Sequence, residues 1–321
     1  MEAFSPTSSR CYSESLLLQE RVKLPPSNRC LVSVSQTRAI AHPLFSRSRN
    51  LIGKPNKLKV LCFQKKEIPV VEGRFIDEIY DALAERLLPT AAVASNPTLN
   101  SLLIQFIHLP KKLYRHIVGL AGPPGAGKST LASEVARRVN KLWPQKASSL
   151  DSQVKPPDVA TVLPMDGFHL YRSQLDAMEN PEEAHARRGA PWTFNPALLL
   201  SCLKTLRSQG SVYVPSFDHG VGDPVEDDIF VSLEHKVVIV EGNYLLLEDR
   251  GWNEISSVFD EKWFIEVDID TAMQRVLKRH IATGKTPDVA NWRIEYNDRP
   301  NAELIIKSKK NADLVIKSVD S

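Results

Sequence analysis

The alternation of apolar and polar positions divides the chain into three stretches. Through residues 1–62 the apolar positions keep no sustained period. Over 73–88, Phe75, Ile76, Ile79, Tyr80, Leu83 and Leu87 recur at the three- and four-residue spacing of one helical face, and Pro89 is expected to end that helix. A second amphipathic piece is expected over 98–109, closed by Pro110, so that residues 63–111 form an N-terminal helical extension. From about Lys112 the pattern changes to short Val- and Ile-rich runs at 116–121, 159–163, 212–214, 237–240, 263–267 and 314–316, mostly separated by helical patterns. Continuous apolar strands alternating with helices predict an α/β domain over 112–321, a mostly parallel sheet with helices on both faces. One of its helices carries its own punctuation. Asn195 is the expected N-cap, Pro196 takes the first position, Leu198, Leu199, Cys202, Leu203 and Leu206 face inward, and Gly210 stops it.

Charge sharpens the reading of the first stretch. Residues 1–62 hold ten Lys and Arg against three Glu, a balance of +7, so with a net charge of +3 the remaining residues come to 3 − 7 = −4. A slightly acidic body gives no nucleic-acid footprint. The basic, Ser-rich and acid-poor stretch has the composition of an organelle transit peptide, and its lack of an apolar core region argues against secretion. A hydroxyl-rich start and Lys59-Val-Leu-Cys62, which resembles a stromal processing site, favour the chloroplast; a mitochondrial address or a disordered cytoplasmic arm are the alternatives. No run of about 18 apolar residues is present, so no membrane span is expected. Removal near Cys62 would discard Cys11 and Cys30 and leave Cys202 at most one companion, so no disulfide framework is implied.

The chemistry begins after the run 116–121. Gly122, Pro123, Pro124, Gly125, Ala126, Gly127, Lys128, Ser129 and Thr130 satisfy G-x-x-x-x-G-K-[ST], followed by a helical pattern. Such a loop aims successive backbone N–H groups at phosphate oxygens, with the helix dipole behind them. Lys128 then reaches the β- and γ-phosphates and the Ser129 hydroxyl joins the shell of Mg²⁺, which points to ATP and Mg²⁺ as cofactors. In a parallel sheet the ligand crevice lies beyond the carboxyl ends of the strands, where Asp166 follows 159–163 and Glu241 follows 237–240. One such carboxylate can anchor the metal and the other can take a proton from an attacking hydroxyl.

The ordered series GPPGAGKST, MDGFH, RRGAPWTFN, VPSFD, VVIVEGNYLL and the basic helix 272–279 resembles the phosphoribulokinase/uridine kinase family, which includes bacterial-type pantothenate kinase. The resemblance spans roughly 98–318 and implies a P-loop kinase fold. It makes Asp166 the general base on the acceptor hydroxyl, gives Ser129 and Glu241 to Mg²⁺, and matches Arg275 and Arg279 to lid arginines that close over the transferring phosphate. Lys128, Asp166, Arg275 and Arg279 are thus the expected catalytic set.

The acceptor is expected among residues between these motifs. His169 and Tyr171 follow the acidic turn, Arg187 and Arg188 precede Gly189, and Asp218 and His219 follow the run 212–215. Arg can grip a carboxylate or phosphate, Asp a sugar hydroxyl, and an aromatic ring can stack. No paired spacing joins His169 and His219 into a metal site, and Asp223, Glu226, Asp227 and Asp228 read as a solvated loop. His169 stands where the best-known uridine kinases carry tyrosine, and RRGAPWTFN is closer to pantothenate kinases, so the acceptor stays open as a sugar, nucleoside or related small metabolite. A homodimer is compatible with all of this. The alternative is a nucleotide-dependent regulatory or binding P-loop protein; neither an N-K-x-D base-reading motif nor an LSGGQ signature occurs.

Overall fold

The structure, a computed structural model, describes residues 67–96, 115–147, 158–218, 220–249 and 251–319. Six strands form one all-parallel sheet: β1 (Val70–Val71), β2 (His116–Ala121), β3 (Ala160–Pro164), β6 (Val237–Gly242), β7 (Glu261–Glu266) and β8 (Leu314–Lys317), in the spatial order β1-β8-β7-β2-β6-β3. The helices are α1 (Ile76–Ser95), α2 (Lys128–Ala147), α3 (Arg172–Asp176), α4 (Pro181–Ala186), α5 (Pro196–Gln209), α6 (Trp252–Ser256), α7 (Ile269–Ala282), α8 (Pro287–Arg293) and α9 (Arg299–Lys307).

The near-continuous apolar strands bury both faces, with alternate residues serving opposite sides. Val118 and Leu120 of β2, Val237 and Ile239 of β6, and Trp263 and Ile265 of β7 pack with α1 and α2. Ile117, Val238, Val240 and Phe264 point the other way, onto α5, Trp252 and Ile255. A pair of helices therefore covers each side of the strands that carry the phosphate loop.

Four expectations are corrected. The run 212–214 is not a strand of the main sheet: it opens β4 (Val212–Asp218), which pairs antiparallel with β5 (Asp223–Val231) as a separate hairpin. Asp223, Glu226, Asp227 and Asp228 lie in β5, not in a loop. Pro89 does not end α1. It sits on the exposed side one turn after exposed Glu85, whose carbonyl loses its helical partner, while Leu88, Ala91 and Ala94 on the buried side hold the last turns against the core. Leu198 is half exposed, at the outer edge of α5, although that helix keeps its Asn195 cap on the Leu198 N–H and its left-handed Gly210 stop. The helix expected over 98–109 lies outside the described residues. The segment expected as an appended extension supplies both an edge strand, β1, and core residues Ile79, Leu83 and Leu87.

Candidate active site

The phosphate loop joins β2 directly to α2, with the Ala126 N–H bonded to the Pro123 carbonyl at 3.1 Å. Gly125 has φ +81°, and a β-carbon there would stand 2.4 Å from the Ala272 carbonyl oxygen, so α7 packs straight onto the loop backbone. Lys128 opens α2 and is buried, its ammonium donating to the Pro123 carbonyl at 3.0 Å. Burial pushes its pKa down, the Glu241 and Asp166 carboxylates hold it charged, and Arg279 works against them.

Parallel register explains how distant acids reach this lysine. Glu241 of β6 is level with Leu120 near the end of β2 and with Pro164 at the end of β3. Its buried carboxylate accepts a hydrogen bond from the Ser129 hydroxyl at 3.0 Å. Burial raises the Glu241 pKa, Lys128 opposes that, Asp166 adds to it, and the Ser129 hydrogen bond lowers it. Asp166 lies in the 3₁₀ turn Met165–Phe168 that begins where β3 stops. The next residue has to be glycine, because a β-carbon on Gly167 would stand 1.9 Å from the carbonyl oxygen of Pro215 in β4.

These groups meet around one cavity of about 380 Å³. Lys128, Ser129, Asp166, Glu241, Arg275 and Arg279 line it with Pro124, Gly125, Gly127, Thr130 and Asn243. Two carboxylates therefore face one lysine and two arginines across the phosphate loop. Arg275 and Arg279 stand one turn apart on α7, and Arg275 donates to the Gly125 carbonyl at 3.2 Å and the Ser318 hydroxyl at 3.1 Å. Asn243 was missed in the sequence; its signal was its place two residues beyond a strand-end acid.

The residues expected around the acceptor fare differently. Of the six, His219 lies outside the described residues and none of the other five lines the 380 Å³ cavity. The His169 ring lies between Phe194 and Phe217, with centroids at 3.9 and 4.6 Å, and its Nδ1 meets the Asp166 carbonyl at 2.8 Å. Tyr171 donates to Glu226 at 2.8 Å, tying the acidic turn to β5. Both line a second cavity of about 260 Å³ that shares no lining residue with the first. Arg188 donates to the Leu170 carbonyl at 2.9 Å and to Asp223 at 3.2 Å, and Arg187 donates to the Tyr296 carbonyl. Asp218 accepts from the Gly220 and Val221 N–H groups at 2.7 and 3.1 Å, shaping the turn between β4 and β5. Each of these side chains makes at least one bond within the fold, and His169 and Tyr171 also line the second cavity.

The arrangement suits phosphoryl transfer, where positioning and electrostatic stabilisation carry the reaction. Residues 117–321 match the model of the Phosphoribulokinase / Uridine kinase family. The chain belongs to that family. A Schizosaccharomyces pombe protein named "Putative uridine kinase C227.14" is 37% identical over 217 residues, covering 66% of this chain and 87% of the relative. The Aspergillus versicolor "ATP-dependent kinase-like protein notR'" is 41% identical over 152 residues, 45% of this chain and 88% of its own. The crystal structure of YFH7 from Saccharomyces cerevisiae superposes with a TM-score of 0.61 over 75% of this chain and 99% of its own length, and at 22% identity that likeness speaks for the fold alone. This family member is accordingly a P-loop kinase with a parallel α/β fold.

Proposed function

We propose that this chain is an ATP-dependent kinase that transfers the γ-phosphoryl group to a hydroxyl of a sugar, nucleoside or related small metabolite, with Mg²⁺ as cofactor. The observation that carries the reading is the single cavity on which Asp166, Glu241, Lys128 and Arg279 converge over the phosphate loop. The loop N–H groups and the Lys128 ammonium hold the triphosphate. The Ser129 hydroxyl and Glu241 carboxylate, bonded at 3.0 Å, are hard oxygen donors of the kind Mg²⁺ takes, one carboxylate with phosphate and water completing its shell. When bound there, the metal neutralises charge on the β- and γ-phosphate oxygens.

Asp166 accepts the proton of the acceptor hydroxyl as that oxygen bonds to the γ-phosphorus. The bond from the γ-phosphorus to the β,γ-bridging oxygen breaks, and ADP leaves. Arg279 meets the charge spread over the equatorial oxygens. Acceptor-dependent ADP release by the full chain across a broad metabolite panel tests the reading, with Asp166→Asn expected to lower turnover by ~10²–10⁴-fold. No acceptor-dependent release from any metabolite, or full turnover by Asp166→Asn, would refute it.

A further inference from the structure

Arg279 is exposed on α7 and lines the 380 Å³ cavity, yet among the described residues no hydrogen bond or ion pair holds its guanidinium. Its place over the phosphate loop is therefore set by α7 as a whole. That helix packs on a small cluster of its own, in which Ala272, Met273 and Val276 meet Ile294 and Ala302. A helix carried by so few buried side chains depends on where it is pinned. One pin is Arg275, on the Gly125 carbonyl and the Ser318 hydroxyl. The other is His280, next to Arg279, whose Nε2 meets the Asp298 carboxylate at 2.8 Å with both side chains largely buried.

Asp298 closes a π-helical turn, Ile294–Asp298, between α8 and α9, where the Arg299 N–H bonds back five residues to the Ile294 carbonyl. Turns this wide are rare and recur at functional sites. Asn297, just before Asp298, is buried; it donates to the Arg188 carbonyl at 3.0 Å and accepts from Asn301 at 3.0 Å. Gly189, just after Arg188, accepts from the buried Tyr244 hydroxyl, and Tyr244 follows Asn243, which lines the same cavity as Arg279. Three hydrogen bonds and the peptide bonds between neighbours thus run from Asn243 to Arg279. Buried polar groups are costly to leave unbonded, so such a chain favours one arrangement. We infer that it is a positioning brace, centred on Asn297 and Asp298, which fixes where Arg279 stands relative to the β6 end of the transfer cavity. His280 and Asp298 line no part of that cavity and act through Arg279. The inference rests on the proposed phosphoryl transfer, in which Arg279 meets charge on the equatorial oxygens. A second link between α9 and α7, from Arg299 to Asp270 at 2.9 Å, is exposed on its Asp270 side, where water competes for it.

The test titrates the full-length protein calorimetrically with Mg²⁺ and ADP, alone and with aluminium fluoride, which stands in for the transferring phosphoryl group. Aluminium fluoride is expected to tighten ADP binding in the wild type, and Arg279→Ala to lose about tenfold or more of that gain. His280→Ala and Asp298→Ala remove the same bond from its two ends. Either should lose roughly tenfold of the gain while binding ADP alone as the wild type does. Added to Arg279→Ala, His280→Ala should cost nothing further, within about twofold, because the brace acts through that arginine. Asp270→Asn, which removes only the exposed link, should match the wild type. The inference is overturned if Arg279→Ala or both brace variants keep the full gain, if the brace variants weaken ADP alone equally, or if their loss multiplies with that of Arg279→Ala. An equal loss in Asp270→Asn, or a wild type in which aluminium fluoride adds nothing, overturns it as well. Because no acceptor is present and no turnover is read, a protein that passes this test and phosphorylates no metabolite would refute the kinase reading and leave the brace standing.

Discussion

Replacing Gly167 by alanine puts a methyl group 1.9 Å from the Pro215 carbonyl oxygen and 2.6 Å from its carbon. Both atoms are backbone, so no side chain can swing aside. Reaching even 3.0 Å requires the acidic turn and β4 to separate by 3.0 − 1.9 = 1.1 Å. Overpacking of this kind costs about 1–3 kcal/mol. In a domain of this size that lowers the melting temperature by roughly 2–12 °C. The functional cost is larger, because Asp166 is the neighbouring residue and a displacement near 1 Å of a reacting group can cost ~10²-fold. Thermal unfolding and acceptor-dependent ADP release at saturating ATP read the two effects separately. A variant that melts within about 1 °C of wild type and keeps turnover within twofold would show that β4 does not brace the acidic turn, and the account of that turn would fall.

Three further outcomes can be checked. Arg279→Ala should lower kcat by ~10²-fold or more while changing ATP affinity little, since the proposed reaction sets its charge against the transferring phosphate; an unchanged kcat would remove it from the catalytic set. For Glu261, burial raises the pKa, but His116 at 3.6 Å and the Arg86 guanidinium donating at 2.7 Å bring it down to about 2. A depressed carboxylate stabilises the fold above its ordinary value of 4.5 and loses that contribution as pH falls through about 2. Glu261→Gln should therefore remove up to about 3 kcal/mol of acid-sensitive stability, read as a flatter dependence of urea midpoint on pH between those values; an identical slope would refute it. Residues 1–62 fused to a fluorescent reporter are expected in chloroplasts, and a cytoplasmic or mitochondrial signal would reject that address.

The phosphate loop was legible because its chemistry needs particular residues at contiguous positions, and the strand-end acids because a parallel sheet delivers its strand ends to one crevice. Pairing was harder to read. The run 212–214 has the same Val-rich look as 237–240, and nothing within it says that its partner is the acidic, exposed β5 and not the central sheet. A strand whose Glu226, Asp227 and Asp228 are exposed and whose Asp223 is held by Arg188 reads locally as a loop. Pro89 misled for a similar reason: its missing N–H matters less on an exposed helix face whose opposite side is held by Leu88, Ala91 and Ala94.

The acceptor residues expose a deeper limit. Arg188, Tyr171 and Asp218 have the functional groups that grip metabolites, and those same groups grip Asp223, Glu226 and the Gly220 N–H. Residue type states what a side chain can bond to; only the fold states what it already bonds to. Three of the braces, from Tyr171, Arg188 and the Gly167 contact with Pro215, run between the acidic turn or its flank and the β4–β5 hairpin. The hairpin is therefore mechanically joined to the residue proposed as the base. A displacement of the hairpin is thereby passed to the turn that carries Asp166.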